Sequence, residues 1–423
     1  MKKIIAKFII LQFVFILSIC SAQPGKISVV RPFKITVSNR LQITRNEEVI
    51  LLDISTLLKK HPNVDFAKCE IQENQKSIYF EIIADEQGKP ASVAIQLSFN
   101  PGESKSLSFI PTDIPPQIEI TKKTQAFIGV KTDYKLDTNY YNGGKFVSTN
   151  EVTVPKSHFA HDALYQYEGP GWESDKIAYR FYLDSRNRTD IFGKKTTAVV
   201  MHNVGKNDLV SNSKESYTKM QDWGMDIFKV GNSLGIGSLA YYIEGKVQTV
   251  SETDEVKVKI ENNKNLYSSL VANYTGWKNS ENKTDLKANI SIMAGSRLTK
   301  VTCESKDLIE DFCTGLAKHE DSQYFESPLT RKGDWGYIGI FGEQALSGDN
   351  LGIAIFYPSK QLTKRQEDEA SRLVILKPVK NCVSYYFAAA WQQEKNGIKT
   401  RAEFIKYLDE TITKLSNPIS INY

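Results

Sequence analysis

The chain has 423 residues, with 54 Lys and Arg against 49 Asp and Glu, and 41% of it is hydrophobic. A formal charge of +5 on this length leaves no electrostatic footprint for nucleic acid, and the apolar content is too high for a disordered polypeptide. Beyond the first twenty residues no apolar run approaches the roughly 18–20 residues that a membrane-spanning helix requires, so no integral membrane segment is expected there.

In chain order, residues 1–22 read as a secretory signal. Lys2, Lys3 and Lys7 are basic, residues 4–19 are almost wholly apolar, and Cys20-Ser21-Ala22 supplies small residues for cleavage. Its removal takes away three lysines and no acid, so the rest of the chain is close to neutral. An exported, periplasmic protein is expected. Anchoring through a lipid on Cys20 is the weaker alternative, because Ile19 is too large for the position before a lipidated cysteine.

Short β-type runs then recur between turn signals, at 33–37, 77–83, 92–99, 176–183, 196–202, 239–243, 255–260, 286–292, 335–341, 351–357 and 383–389. Several alternate with period two, as Val256, Val258 and Ile260 do against Lys257 and Lys259. Helical signals are few. Thr400 and Glu403 form a capping-box pattern ahead of Phe404, Ile405, Leu408, Ile412 and Leu415 on one face, which predicts a helix over 400–415. Weaker helical patterns cover 308–316 and 364–373. Helices do not alternate with strands, so a doubly wound α/β fold is excluded and a mainly β, antiparallel fold is expected.

A composition break at residues 111–116 (PTDIPP) divides the chain into a small N-terminal β-sandwich domain, 23–115, and a large β-sandwich catalytic domain, 116–423. Cys69, Cys303, Cys313 and Cys382 are too sparse for a disulfide scaffold and read mostly as buried thiols, with Cys303 and Cys313 the one pair close in sequence.

The densest chemistry lies in residues 158–194, which hold His158, His161, Tyr165, Tyr167, Glu168, Trp172, Glu173, Arg180, Tyr182, Asp184, Arg186, Arg188, Asp190 and Lys194. Read as one strand, 178–184 places Arg180, Tyr182 and Asp184 on a single face. Such a face is either a solvated ladder of cross-strand charges or a polar site. The adjoining Glu168-Gly169-Pro170-Gly171 is a constrained turn. A second cluster, 217–237, sets Asp222, Trp223, Asp226 and Lys229 among glycines, which suits either close backbone approach to a ligand or bends in a large sheet.

Gly231-Asn232-Ser233-Leu234-Gly235 matches the G-x-S-x-G nucleophile elbow, but residues 236–242 make a poor helix start and His319 is the one histidine downstream, so a serine hydrolase is not supported. No G-x-G-x-x-G or G-x-x-x-x-G-K-[ST] nucleotide cradle is present. His158 and His161 lack the H-E-x-x-H arrangement, which leaves any metal site unassigned.

YEGPGWESDKIAYRFYLDSRNRTDIFGK (167–194), DWGMDIFKVGNSLGIGS (222–238), DNLGIAIFYP (349–358) and YYFAAAWQQE (385–394) carry a resemblance. The chain resembles a formerly uncharacterised family of exported proteins encoded in bacterial polysaccharide-utilisation loci, with members similar to oligosaccharide dehydratases of ulvan breakdown. One departure is Tyr217-Thr218, where the resemblance leads one to expect a Tyr-His pair.

The resemblance implies a supersandwich-like β fold and a hydro-lyase that eliminates water from a terminal uronic acid, leaving a C4–C5 double bond. Such chemistry needs a cation against the substrate carboxylate, for which Arg180 is the first choice and Lys229 the second. It also needs a base and an acid, for which His161 and Tyr182 are candidates, with His202 in reserve. Trp172 and Trp223 are candidates to stack on sugar faces. Tyr167, Glu168, Glu173, Asp184, Arg188, Asp190, Lys194 and Asp226 complete the expected substrate-binding set. The expected partner is a uronic-acid-containing, optionally sulfated, oligosaccharide, and no organic cofactor is called for. Two alternatives use the same residues: a lyase that expels a sugar in place of water, and a non-catalytic glycan-binding protein.

Overall fold

The computed structural model describes residues 31–206, 216–279, 282–309, 311–328 and 334–423. Residues 1–22, read above as a signal, and with them Cys20, lie outside them. The fold is mainly β, and every strand pair among the described residues is antiparallel.

The first unit is a small sandwich. Phe33–Ser38 pairs with Ser104–Pro111 in a five-stranded sheet, which faces a three-stranded sheet of Arg45–Asp53, Pro90–Phe99 and Phe80–Ala84. Ile35, Val37, Leu52, Val93, Ile95, Leu107 and Phe109 fill the space between. The last strand of the chain, Ser420–Asn422, returns to pair with Phe33–Ser38, and Ile419, Ile421 and Tyr423 pack on this core. Both ends of the described chain are thus tied to one sheet, and buried Arg45 donates to the Asn417 carbonyl beside it.

The second unit is a much larger sandwich. A nine-stranded sheet runs from Glu151–Thr153 through Tyr267–Asn279, Asn282–Met293 and Cys382–Trp391 to Ser322–Glu326. Opposite it lie a six-stranded sheet, from Lys145–Thr149 to Gly224–Asp226, and a five-stranded sheet, from Lys246–Thr249 to Leu362–Glu367. One continuous core joins all three: Leu270, Ile290 and Val301 from the first, Trp172, Tyr179 and Ile191 from the second, Phe312, Leu316 and Val374 from the third. Alternation explains it, since residues of period two point to one face of a strand.

The helix forms at Arg401–Ser416 with the expected reciprocal cap, Thr400 Oγ1 accepting from Glu403 N at 3.2 Å and Glu403 Oε2 from Thr400 N at 3.0 Å. It packs on the outer face of the nine-stranded sheet through Phe404 and Leu408. Gly352 makes that approach possible, because a Cβ there would sit 2.6 Å from the Phe404 ring.

Three expectations fail. The described residues of 308–316 are not helical; Phe312–Ala317 is a strand between Ala240–Ile243 and Ser371–Leu376. Its apolar residues are buried on both faces, a pattern without helical or strand period. Residues 364–373 are a hairpin of Leu362–Glu367 and Ser371–Leu376, whose turn is held by Asp368 accepting from Ala370 N and Ser371 N. Residues 196–202 form bends and turns, because the N–H groups of Val200 and Met201 go to the Glu173 carboxylate at 2.7 and 2.8 Å instead of to a neighbouring strand. The four cysteines are all free, and Cys303 and Cys313 belong to different sheets.

Candidate functional site

The site grows from register. Arg180 sits directly opposite Asp190 on the neighbouring strand, and Asp226 lies one strand further, opposite Phe192. Tyr179 and Phe181 point into the large core, so Arg180 is turned to the other face. The strand ends at Phe181, earlier than the sequence pattern suggests, and the chain then turns. Tyr182 stays beside Arg180, whereas Asp184 leaves and accepts both Nε and Nη2 of Arg186, at 2.8 and 2.6 Å.

Arg180 is only 3% exposed, and its guanidinium is closed by protein acceptors. Nε and Nη2 reach Asp190 Oδ2 at 3.1 and 2.7 Å, and Nη2 also reaches Asp226 Oδ2 at 2.7 Å. Nη1 donates to the Tyr167 carbonyl at 3.2 Å and to the Tyr217 hydroxyl at 3.3 Å, with Glu168 at 3.5 Å. Tyr182 donates to the same Asp190 oxygen at 2.6 Å. The network is therefore a cross-strand charge ladder, but a buried one. One cation cannot neutralise two buried carboxyls, and burial, reinforced by repulsion from Asp190, pushes the Asp226 carboxyl up to about 8.

At the rim of this network stands Glu168. Its Oε1 takes Arg186 Nη2 at 2.7 Å and His161 Nδ1 at 2.8 Å. The His161 side chain is 76% exposed, and the Arg186 guanidinium lies 3.9 Å from the centre of the Tyr182 ring. The segment is held in uncommon backbone conformations: His161, Ala163, Tyr167 and Glu168 all have positive φ. Non-glycine residues adopt this region at a cost, and such outliers gather at functional sites. Gly169 comes next because a Cβ there would lie 2.0 Å from the Phe181 carbonyl oxygen.

Tyr217 completes the rim. Its oxygen accepts from Arg180, its own proton has no acceptor among the described residues, and burial pushes its hydroxyl up to about 12. Thr218, where a histidine is expected from the resemblance, is exposed and bonded to Ser216 Oγ at 2.9 Å.

Other expected site residues lie elsewhere. Trp172 is inside the core with Nε1 on Thr299 Oγ1 at 2.8 Å, so it offers no face to a sugar. Glu173 and Lys194 form a fully buried ion pair at 2.6 Å that also anchors the 200–201 turn. His202 is bonded through Nδ1 to Gln125 at 3.1 Å and through Nε2 to Asn203 at 2.8 Å, apart from the Arg180 network. Tyr167 packs beneath the network against Phe192, with its buried hydroxyl unpartnered. Trp223 is half-buried against Phe192. Lys229 is exposed, next to His319, whose pKa is lowered by burial and by that lysine. Arg188 has a buried Nη1 without a partner, and burial, with Arg186 nearby, lowers its pKa. Among the described residues no group of three or more His, Cys, Asp or Glu is arranged to hold a metal, and no helix is long and apolar enough to cross a membrane.

Residues 37–421 match a family described as a domain of unknown function (DUF4861). The chain belongs to this family. A relative described as uncharacterized protein P7, from Formosa agariphila, is 22% identical over 414 residues, covering 92% of each chain. Two Enterococcus faecalis structures are more distant. An α-mannosidase has 8% identity and a TM-score of 0.46, covering 92% of this chain and 46% of that one. A glycosyl hydrolase family 38 protein has 9% identity and a TM-score of 0.47, covering 92% and 47%. The chain spans about half the length of these two, and likenesses so remote do not bear on its chemistry.

Proposed function

We propose that the chain is an exported, carbohydrate-active hydro-lyase that removes water from a non-reducing-end uronic acid of an oligosaccharide, leaving a 4,5-unsaturated terminus. The observation that carries this reading is Glu168 holding His161 and Arg186 on one oxygen, at 2.8 and 2.7 Å, at the open edge of a rigid buried network.

The elimination requires three groups. A base takes the C5 proton; His161 fits, exposed and oriented through Nδ1 by Glu168, which leaves Nε2 to work. A cation meets the charge that develops on the C6 carboxylate. Arg180 is enclosed by Asp190 and Asp226, so this role passes to Arg186, whose Nη1 makes no hydrogen bond among the described residues, with unpaired Arg188 close by. An acid protonates the leaving C4 hydroxyl. Tyr217 suits this better than Tyr182, whose proton is committed to Asp190. Arg180, Tyr182, Asp190 and Asp226 then act as positioning residues, and Trp223 is the remaining candidate for stacking on a ring.

The test is mass spectrometry and ultraviolet absorbance after incubating purified protein with oligosaccharides ending in uronic acids and with their parent polymers. Loss of one water without shortening, with a new conjugated-uronate band, is the expected result. Shortened unsaturated fragments would instead make it a lyase using the same groups. No product across the panel would refute elimination.

A further inference from the structure

The outer face of the nine-stranded sheet carries a cleft of about 400 Å³ that the elimination does not use. Its floor follows from register: Ser269 lies opposite Ser291, and Ser291 opposite Lys300. Their neighbours Leu270, Ile290, Ile292 and Val301 point into the large core, so the row itself points outward. Arg180 also faces away from that core, but from the opposing sheet, which puts the cleft on the other side of the sandwich.

Residues 84–87 of the small sandwich form one wall. They are fastened to the sheet, since Asn262 exchanges two hydrogen bonds with the Ala84 backbone, both of 3.1 Å, and Glu86 holds Lys287 and Asn289. The cleft is therefore built before any ligand arrives.

Two charged groups on its lining have no hydrogen bond or ion pair among the described residues, Lys300 and Glu261. Lys300 is exposed, yet burial lowers its pKa, so its ammonium is accessible but stands inside the concavity. Cys382 is the one ionisable group that bears on it; no carboxyl does, and Glu261 therefore stands off at the other end. There burial, with Glu86 and Asp85 close by, raises the Glu261 pKa against the pull of Lys259 and Lys287.

The cleft is thus polarised. An unpaired ammonium takes an oxyanion, and an unpaired carboxylate takes hydroxyl donors. The space between them holds on the order of a dozen waters, enough for a sugar ring with its substituents. A bare anion would satisfy Lys300 and leave Glu261 unmet; a neutral sugar would do the reverse. A ring that carries hydroxyls and one oxyanion meets both.

We propose that this cleft is a second binding site, for an acidic sugar whose carboxylate or sulfate ester lies on Lys300 while its hydroxyls donate to Glu261. The site goes beyond the functional reading above and does not rest on it.

The test is isothermal titration calorimetry of the full chain with methyl glucuronide, methyl galactoside 6-sulfate, methyl glucoside and sodium sulfate. At least one acidic glycoside should bind saturably, and which of the two binds assigns carboxylate or sulfate. Lys300→Gln, at an exposed position, should weaken that binding about ten- to a hundredfold, the loss of one charge-assisted hydrogen bond. Ser291→Trp fills the floor with Lys300 retained and should abolish it. Glu261→Ala should weaken the acidic glycoside but not sodium sulfate, which has no hydroxyl to donate.

The proposal is overturned if neither acidic glycoside binds, or if Lys300→Gln or Ser291→Trp leaves the binding unchanged. It is equally overturned if methyl glucoside or sodium sulfate binds as tightly as the acidic glycoside, or if Glu261→Ala tightens the latter. Binding is read without turnover. Lys300-dependent binding with no elimination on any oligosaccharide would refute the hydro-lyase and keep the cleft; elimination without Lys300-dependent binding would refute the cleft alone.

Discussion

Asp226→Asn isolates the protonation of the buried network. In the folded chain the Asp226 carboxyl keeps its proton up to about 8, chiefly because it is buried, whereas an unfolded aspartate releases it near ~4. Between those values the folded state binds the extra proton, so unfolding free energy falls as pH rises, by at most about 1.4 kcal/mol per unit for one group. The penalty is absent below about pH 4 and complete above about pH 8. Asparagine removes it, because its amide cannot ionise, while its oxygen can still accept from Arg180. It has one acceptor where the carboxyl has two, so either the Arg180 bond or the long Phe228 N contact at 3.3 Å is lost, a constant cost of about 1 kcal/mol. The variant should therefore be slightly less stable than the parent at pH 5 and more stable at pH 8. The difference should swing by at most about 4 kcal/mol across that range. Urea denaturation of both proteins at pH 5, 6, 7 and 8 and constant ionic strength measures this, and other titrations cancel in the difference. A difference that does not change with pH, or that moves toward the parent as pH rises, would mean that Arg180 keeps Asp226 ionised and that the argument is wrong.

Lys194→Met should cost about 3–5 kcal/mol by leaving Glu173 buried without its cation, and Glu173→Gln in the same chain should recover part of it; thermal denaturation of the single and double variants checks both. His161→Ala should leave stability within about 0.5 kcal/mol, because the side chain is exposed, yet lower the elimination rate by ~10²–10⁴-fold. Equal loss of activity and stability would assign His161 a structural role. Gly352→Ala should destabilise by about 1–3 kcal/mol by forcing the Phe404 ring off the sheet, seen as a lower urea midpoint with the strand content unchanged.

The sandwich was legible in the sequence because its signals are local. Glu255–Asn263 and Asn282–Met293 extend outward from the alternating runs at 255–260 and 286–292, and the Thr400–Glu403 box marks where the helix begins. Failures came where tertiary partners override local pattern. Phe312–Ala317 is buried on both faces, so its composition carries no period, and 196–202 resembles a strand until Glu173 claims its amides. The return of Ser420–Asn422 to the first sheet is a contact across the whole chain, which no short window contains.

The site separates along a different line. Proximity was readable, since 158–194 does bring Arg180, Tyr182, Glu168, His161 and Asp190 together, but what each side chain is free to do was not, because that depends on what it already touches. Trp172 and Trp223 are one residue type with one expected use, yet one is sealed in the core and the other stands beside the rim. Arg180 has the charge a uronate needs, but the same strand register that delivers it also delivers Asp190 opposite and Asp226 beyond, and these occupy the guanidinium. Arg186 gives up less of itself, because the strand stops at Phe181 and the turn after it carries the arginine outward to Glu168 and His161. A one-strand reading of 178–184 keeps Asp184 beside Arg180 and hides that turn. The strand end at Phe181 is what separates the buried, self-satisfied arginine from the one carried out to the rim.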